Sequence, residues 1–191
     1  MKSQKQYVLG ADPGKHGAIV LLSTKYNPVR IAPDDIICFT AHTKGDHLDI
    51  MRTWKELLPY ADRIVLCAQE EVHAIFGVSA AATFGFGEVN GALSAMLQLL
   101  GTTRPSKEPF DVLYVSPKVW QKKVWSPADI KYKKDTDKLG RKKKDTKATS
   151  LSAAATIFPG VSFKKGKSRS PHDGIVDAAL IAYYALCAFR G

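Results

Sequence analysis

Two short apolar runs separated by a turn open the chain. Tyr7-Val8-Leu9-Gly10-Ala11 stops on Asp12-Pro13-Gly14; after Lys15-His16-Gly17 comes Ala18-Ile19-Val20-Leu21-Leu22. This predicts a hairpin with Gly14 and Gly17 in its turn. Residues 35–40 predict a third antiparallel strand. A helix capped by Asp46 is predicted through about Tyr60, with Leu48, Met51, Trp54, Leu57 and Leu58 on one face. Residues 63–70 are apolar in both registers, as a central strand covered on both sides would be. A glycine-punctuated loop, 72–79, leads into a helix over about 80–100 with Leu93, Met96, Leu97 and Leu100 at helical spacing. Residues 110–115 predict a fifth strand, and Ser116-Pro117 opens a short helix through Val124. A helix over about 145–158 is stopped by Pro159-Gly160. The last predicted helix starts at Asp173 and is alanine-rich and free of proline and glycine from Ile175 to Phe189.

Three hairpin-linked strands followed by alternating helices and strands predict an α/β architecture. The expected sheet is mixed and five-stranded, three antiparallel strands then two parallel ones, with helices on both faces. The first and fourth strands form its central pair. The 191 residues fit one domain, 1–191. Residues 126–146 depart from the pattern: they are polar and lysine-dense, and read as a mobile excursion. A second basic loop, 163–169, precedes the last helix.

The net charge of +10 and a pI near 9.5 call for a polyanionic partner. The lysines fall in loops and not on an amphipathic helix, which argues for nucleic acid over a membrane surface. No run of about 18 apolar residues suggests a membrane span. Residues 1–6 lack the apolar core of a signal peptide, and Cys38, Cys67 and Cys187 have neither metal-site nor disulfide spacing. A cytoplasmic location is expected.

Asp173 and Asp177 share one helical face. One of them serves as a cap, but a second acid on an apolar segment is costly unless a cation neutralises it. Asp12 and Glu70 end the two central strands, so parallel neighbours would deliver both acids to one sheet end. Strand alternation lets only one of Glu70 and Glu71 face that site, and Glu70 is the expected one. Four converging carboxylates select a hard cation, Mg²⁺ or Mn²⁺. Two such ions would bridge a phosphodiester.

The ordered set Gly10-Ala11-Asp12-Pro13-Gly14, Glu70-Glu71-Val72-His73 and His172-Asp173-Gly174-Ile175-Val176-Asp177-Ala178 resembles RuvC-type Holliday junction resolvases, in their bacteriophage-encoded branch, over about residues 7–189. The family belongs to the ribonuclease H-like superfamily. The resemblance implies a homodimeric, Mg²⁺-dependent endonuclease acting on four-way junctions and branched DNA, in a bacterial host's cytoplasm if phage-encoded. It would leave 5′-phosphate and 3′-hydroxyl ends. Asp12, Glu70 and Asp177 match family metal ligands. The family often has an acid or histidine three residues before the last aspartate; that position is Gly174 here, so Asp173 stands in as ligand and His172 is the fallback. Lys147 resembles a lysine that assists near the scissile phosphate. His73 stands where the family commonly has a junction-wedging aromatic, and Phe76 is the candidate replacement.

Lys131, Lys133, Lys134, Lys142, Lys143, Lys144, Lys164, Lys165, Lys167 and Arg169 are the candidate phosphate contacts. Plainer readings stand beside these. Asp12 suits a turn, and the lysines suit a solvated loop. Phe84, Phe86, Leu93, Met96 and Leu97 read as core or dimer interface, and Trp54, Trp120 and Trp125 as packing. A non-catalytic basic branched-DNA-binding protein is the rival function. An actin-like or sugar-kinase-like nucleotide-binding protein shares the opening Asp-x-Gly, but needs two domains and a second phosphate loop.

Overall fold

A computed structural model describes residues 4–14, 17–32, 34–44, 47–72, 79–104, 108–136 and 140–191. In chain order the elements are β1 (Tyr7–Asp12), β2 (Ala18–Ser23), β3 (Ile36–Thr40), β4 (Thr43–Lys44), β5 (His47–Leu48) and α1 (Ile50–Leu57). A 3₁₀ turn, Leu58–Arg63, leads to β6 (Ile64–Glu70), α2 (Ala80–Thr102), β7 (Val112–Val115) and α3 (Pro117–Val124). After a second 3₁₀ turn, Pro127–Asp129, come β8 (Tyr132–Thr136), β9 (Lys142–Lys144), α4 (Thr146–Ile157) and α5 (Asp173–Arg190).

The main sheet has the order β3-β2-β1-β6-β7. β1 pairs antiparallel with β2, and β2 with β3, whereas β1–β6 and β6–β7 are parallel. This is the expected mixed sheet with the expected central pair. Side-chain alternation then sorts each strand onto two cores. Tyr7, Leu9 and Ala11 of β1 pack with Leu57 of α1 and Leu93, Met96 and Leu97 of α2. Val8 faces the other way, among residues of α3, α4 and α5 such as Trp120, Ala154 and Ala182. On β6 the same rule puts Cys67 on the α2 side and Ala68 on the α5 side.

One expectation needs correction, and two features add detail. The first helix begins at Ile50 with Asp49 as its cap, accepting from Arg52 N–H; Asp46 lies outside the described residues. Expected as an excursion, segment 126–146 carries a short antiparallel hairpin, β8 against β9, in register Tyr132↔Lys144 and Thr136↔Lys142. Of the three free cysteines only Cys67 is buried; Cys38 is exposed on the edge strand β3.

One contact sets the position of α5. A Cβ on Gly10 would run into the backbone nitrogen of Ala182 and the carbonyl oxygen of Ala178, so the helix axis lies against bare strand backbone. That is a place for glycine by close approach. Gly10→Ala is expected to destabilise the fold by about 3 kcal/mol in urea unfolding, because the clash is with backbone that cannot rotate away. Gly91→Ala is the control: its Cβ would meet nothing within 4 Å on the exposed side of α2. It is expected to raise stability by about 0.5–1 kcal/mol.

Candidate active site

Gly10 and Asp12 share one face of β1, the face turned to α5. Asp177 immediately precedes Ala178, whose carbonyl oxygen lies over Gly10. Asp12 and Asp177 are consequently close enough for each charge to be felt by the other. Burial, with the Asp177 and Asp173 charges adding, pushes the Asp12 carboxyl up to about 7 against the opposing pull of the Gly14 N–H. That amide donates to Asp12 Oδ1 at 3.2 Å. Glu70 is also brought in, on the same face of β6 as Ala68. Burial raises its carboxyl to about 7; the Trp120 indole opposes this, and the charges of Asp12 and Asp177 reinforce it. Burial likewise raises Asp177, opposed by a hydrogen bond from Ser150 and by Lys147. Its Oδ1 is buried with no hydrogen-bond partner among the described residues.

Asp173 stands one turn before Asp177 at the start of α5, exposed, with Oδ2 accepting from Lys147 Nζ at 2.6 Å. The hydrogen bond to Asp173 is the main reason that the Lys147 ammonium is held above its ordinary value. Capping falls to the neighbour instead: His172 Nδ1 accepts from Ile175 N–H at 3.3 Å, which occupies that ring nitrogen's lone pair. Glu71 follows the end of β6 and is exposed, so Glu70 is the acid that faces the site. A cleft of about 210 Å³ opens here, lined by Lys147, Ser150, Ser170, Asp173 and Asp177 among others. It touches the α5 acids, whereas Asp12 and Glu70 do not line it.

Whether this set suits a divalent cation can be judged from its atoms. The donors are all carboxylate oxygens, the chemistry of a hard-ion site. A partnerless buried oxygen on Asp177 is what such an ion would satisfy. Yet among the described residues no three acidic, histidine or cysteine side chains are near enough together to hold one ion. Each of the four acids already has a hydrogen-bond donor: Gly14 N–H on Asp12, the Trp120 indole on Glu70, Lys147 on Asp173 and Ser150 on Asp177. The residues fit the ion chemically, and the cage is open.

Trp120, expected only to pack, is the functional neighbour that sequence reasoning missed. Its indole N–H donates to Glu70 Oε2 at 2.7 Å across 50 residues of chain. No spacing signal marks such a pair. The ten basic candidates from Lys131 to Arg169 are all exposed. They lie on two arms that feed directly into the site helices. The β8–β9 hairpin returns into α4, which begins beside Lys147; the loop closed by the Lys164–Pro171 bridge runs into α5. His73 and Phe76 lie outside the described residues. On α2, Leu93, Met96 and Leu97 are core, while Phe84 is 76% exposed.

By sequence the chain matches no protein-family profile and no curated protein. Solved structures do match. RuvC of Thermus thermophilus in complex with a Holliday junction substrate superposes with a TM-score of 0.56 at 14% identity, covering 97% of this chain and 96% of that one. A second Thermus thermophilus RuvC structure gives 0.51 at 17% identity, covering 97% of each chain. Nearly the whole length of this chain is thus laid out as RuvC is, and the chain has the ribonuclease H-like fold.

Proposed function

We propose that this protein is a divalent-metal-dependent endonuclease that cuts branched DNA, four-way junctions included, as a homodimer. The observation that supports this reading is a RuvC-like layout in which the charges of Asp12 and Asp177 act on Glu70 and those of Asp177 and Asp173 act on Asp12, with exposed lysines on the segments that lead into α4 and α5. Bound Mg²⁺, or Mn²⁺ in its place, supplies Lewis-acid activation of water and of the phosphodiester. Asp12 and Asp177, half-buried and mutually repelling, would hold it with Glu70 and Asp173. Lys147 lines the cleft with its ammonium on Asp173, and would meet a phosphate oxygen arriving there. The exposed lysines position DNA backbone without reading its sequence. Paired nicks leaving 5′-phosphate and 3′-hydroxyl ends, and a phage-encoded origin, follow from the motif resemblance. An unpartnered apolar stretch of α2, with Phe84 at 76% and Leu99 at 58% exposure, favours self-association. Among the described residues no helix is long and apolar enough to cross a membrane.

The open ligand set favours a second reading, a basic branched-DNA-binding protein without catalysis. Incubating a synthetic four-way junction with Mg²⁺ separates the two. Cleavage is expected, with Asp12→Asn and Glu70→Gln each slower by at least roughly a hundredfold, since the ion contributes several kcal/mol at the transition state. Binding without cleavage in any divalent metal would leave the second reading standing. Neutralising Lys142, Lys143 and Lys144 to Gln is expected to weaken junction binding and flatten its salt dependence. The slope of log K against log salt would fall by about 0.9 for each phosphate that the variant leaves unneutralised.

Protons and cations compete for the same carboxylates. Asp12 and Glu70 are both raised to about 7, so the metal-free native state holds protons that the unfolded chain releases. The resulting stability is full below the unfolded carboxylate range near pH 4 and is lost as pH rises through about 7. Metal-free protein is therefore expected to melt several degrees lower at about pH 8 than at about pH 6. Added Mg²⁺ should restore most of the difference, and Asp12→Asn should shrink it. Calorimetric scans with and without EDTA measure this directly.

A further inference from the structure

Trp120 is 1% exposed and sits one turn into α3, which starts at Pro117 directly after β7. Val115 of β7 is in register with Glu70 of β6, so the short link from strand to helix carries the indole to the end of the central strand. Its N–H, a donor with no acceptor role, is spent on Glu70 Oε2 at 2.7 Å. Packing alone does not demand this. The neighbouring Trp125 is also buried, and its Nε1 has no partner among the described residues. The two indoles meet edge to face, 5.8 Å apart at 80°, and the Lys144 ammonium lies 5.4 Å over the Trp125 ring. Trp120 is thereby clamped in one orientation. Among the described residues no donor reaches the other Glu70 oxygen, Oε1.

We propose that Trp120 is a positioning residue for the metal centre: its indole N–H holds Glu70 Oε2 and fixes the carboxylate plane, leaving Oε1 as the oxygen that a bound cation would use. This rests on the metal-dependent reading above. Partners that orient a ligating group are worth about 10–100-fold in metal affinity or activity. Trp120→Phe keeps an aromatic ring against Trp125 but removes the N–H along with part of the buried bicyclic ring, so lost packing has to be separated from the lost hydrogen bond.

Mn²⁺ titrated calorimetrically into the DNA-free protein reads the effect without catalysis. Trp120→Phe is expected to bind Mn²⁺ about 10–100-fold more weakly than wild type. In a Glu70→Gln background the same change should cost almost nothing, because Trp120 acts through Glu70; a general packing defect would persist undiminished. Equal Mn²⁺ affinity in wild type and Trp120→Phe would overturn the proposal, as would an undiminished loss in the Glu70→Gln background. Should Trp120→Phe not fold, the wild-type indole ¹⁵N–¹H resonance decides. Its Trp120 signal is expected to move on Mg²⁺ addition and to lie elsewhere in Glu70→Gln, and a signal indifferent to both overturns the assignment. Absence of Mn²⁺ binding and of cleavage in the wild type is a different result, which sinks the metal-dependent reading itself.

Discussion

Gly10 is the point on which the molecule turns. With no side chain there, α5 settles onto the backbone of β1, and the carbonyl of Ala178 lies over the strand. The aspartate just before Ala178 is thereby brought toward the one two residues along β1. The electrostatic cost is visible in the raised carboxyls of Asp12, Glu70 and Asp177. It amounts to a few kcal/mol. Against it stands the burial of α5, which has ten buried residues, Ile175, Leu180, Ile181 and Leu186 among them. Each large apolar side chain contributes about 1.5–3 kcal/mol, so packing wins and the acids are held where they would not otherwise stay.

Charge is segregated by depth. The central acids are half-buried, where a lowered dielectric strengthens the interactions they make; the lysines lie outside, where salt screens them beyond about 8 Å. The two populations meet at Lys147 and Asp173, whose side chains are 74% and 59% exposed. A pair that open to water is worth about 0–1 kcal/mol. It is strong enough to define a resting arrangement and weak enough for an incoming phosphate or cation to part it.

Much of this was legible because period-two and helical patterns leave strong marks. Alternation on β6 assigns Glu70 inward and Glu71 outward, and the parallel pairing of β1 with β6 carries Asp12 and Glu70 to one end. What escaped was set by partners far away in the chain. Asp46 and Asp49 are equally suitable caps by residue type, and the choice follows from tertiary pairing that anchors Asp49 N–H on His42 O. His172 displaces Asp173 as the cap of α5, leaving the aspartate for Lys147. The β8–β9 hairpin has no apolar alternation to announce it, since both strands are fully exposed. Trp120 looked like any core indole, because what distinguishes it is an acceptor on another strand.

The lysine hairpin leaves and rejoins the body at nearly one point: Asp145 N–H bonds Lys131 O at 2.9 Å. An appendage whose ends are already joined is thermodynamically inexpensive to resize, each doubling of a loop costing only about 0.6 kcal/mol. Its length and charge can therefore change while Asp12, Glu70 and Asp177 keep their places. On the proposed reading, the grip on a polyanion and the chemistry at the sheet end would be separable modules, and substrate range could drift without disturbing the reaction centre.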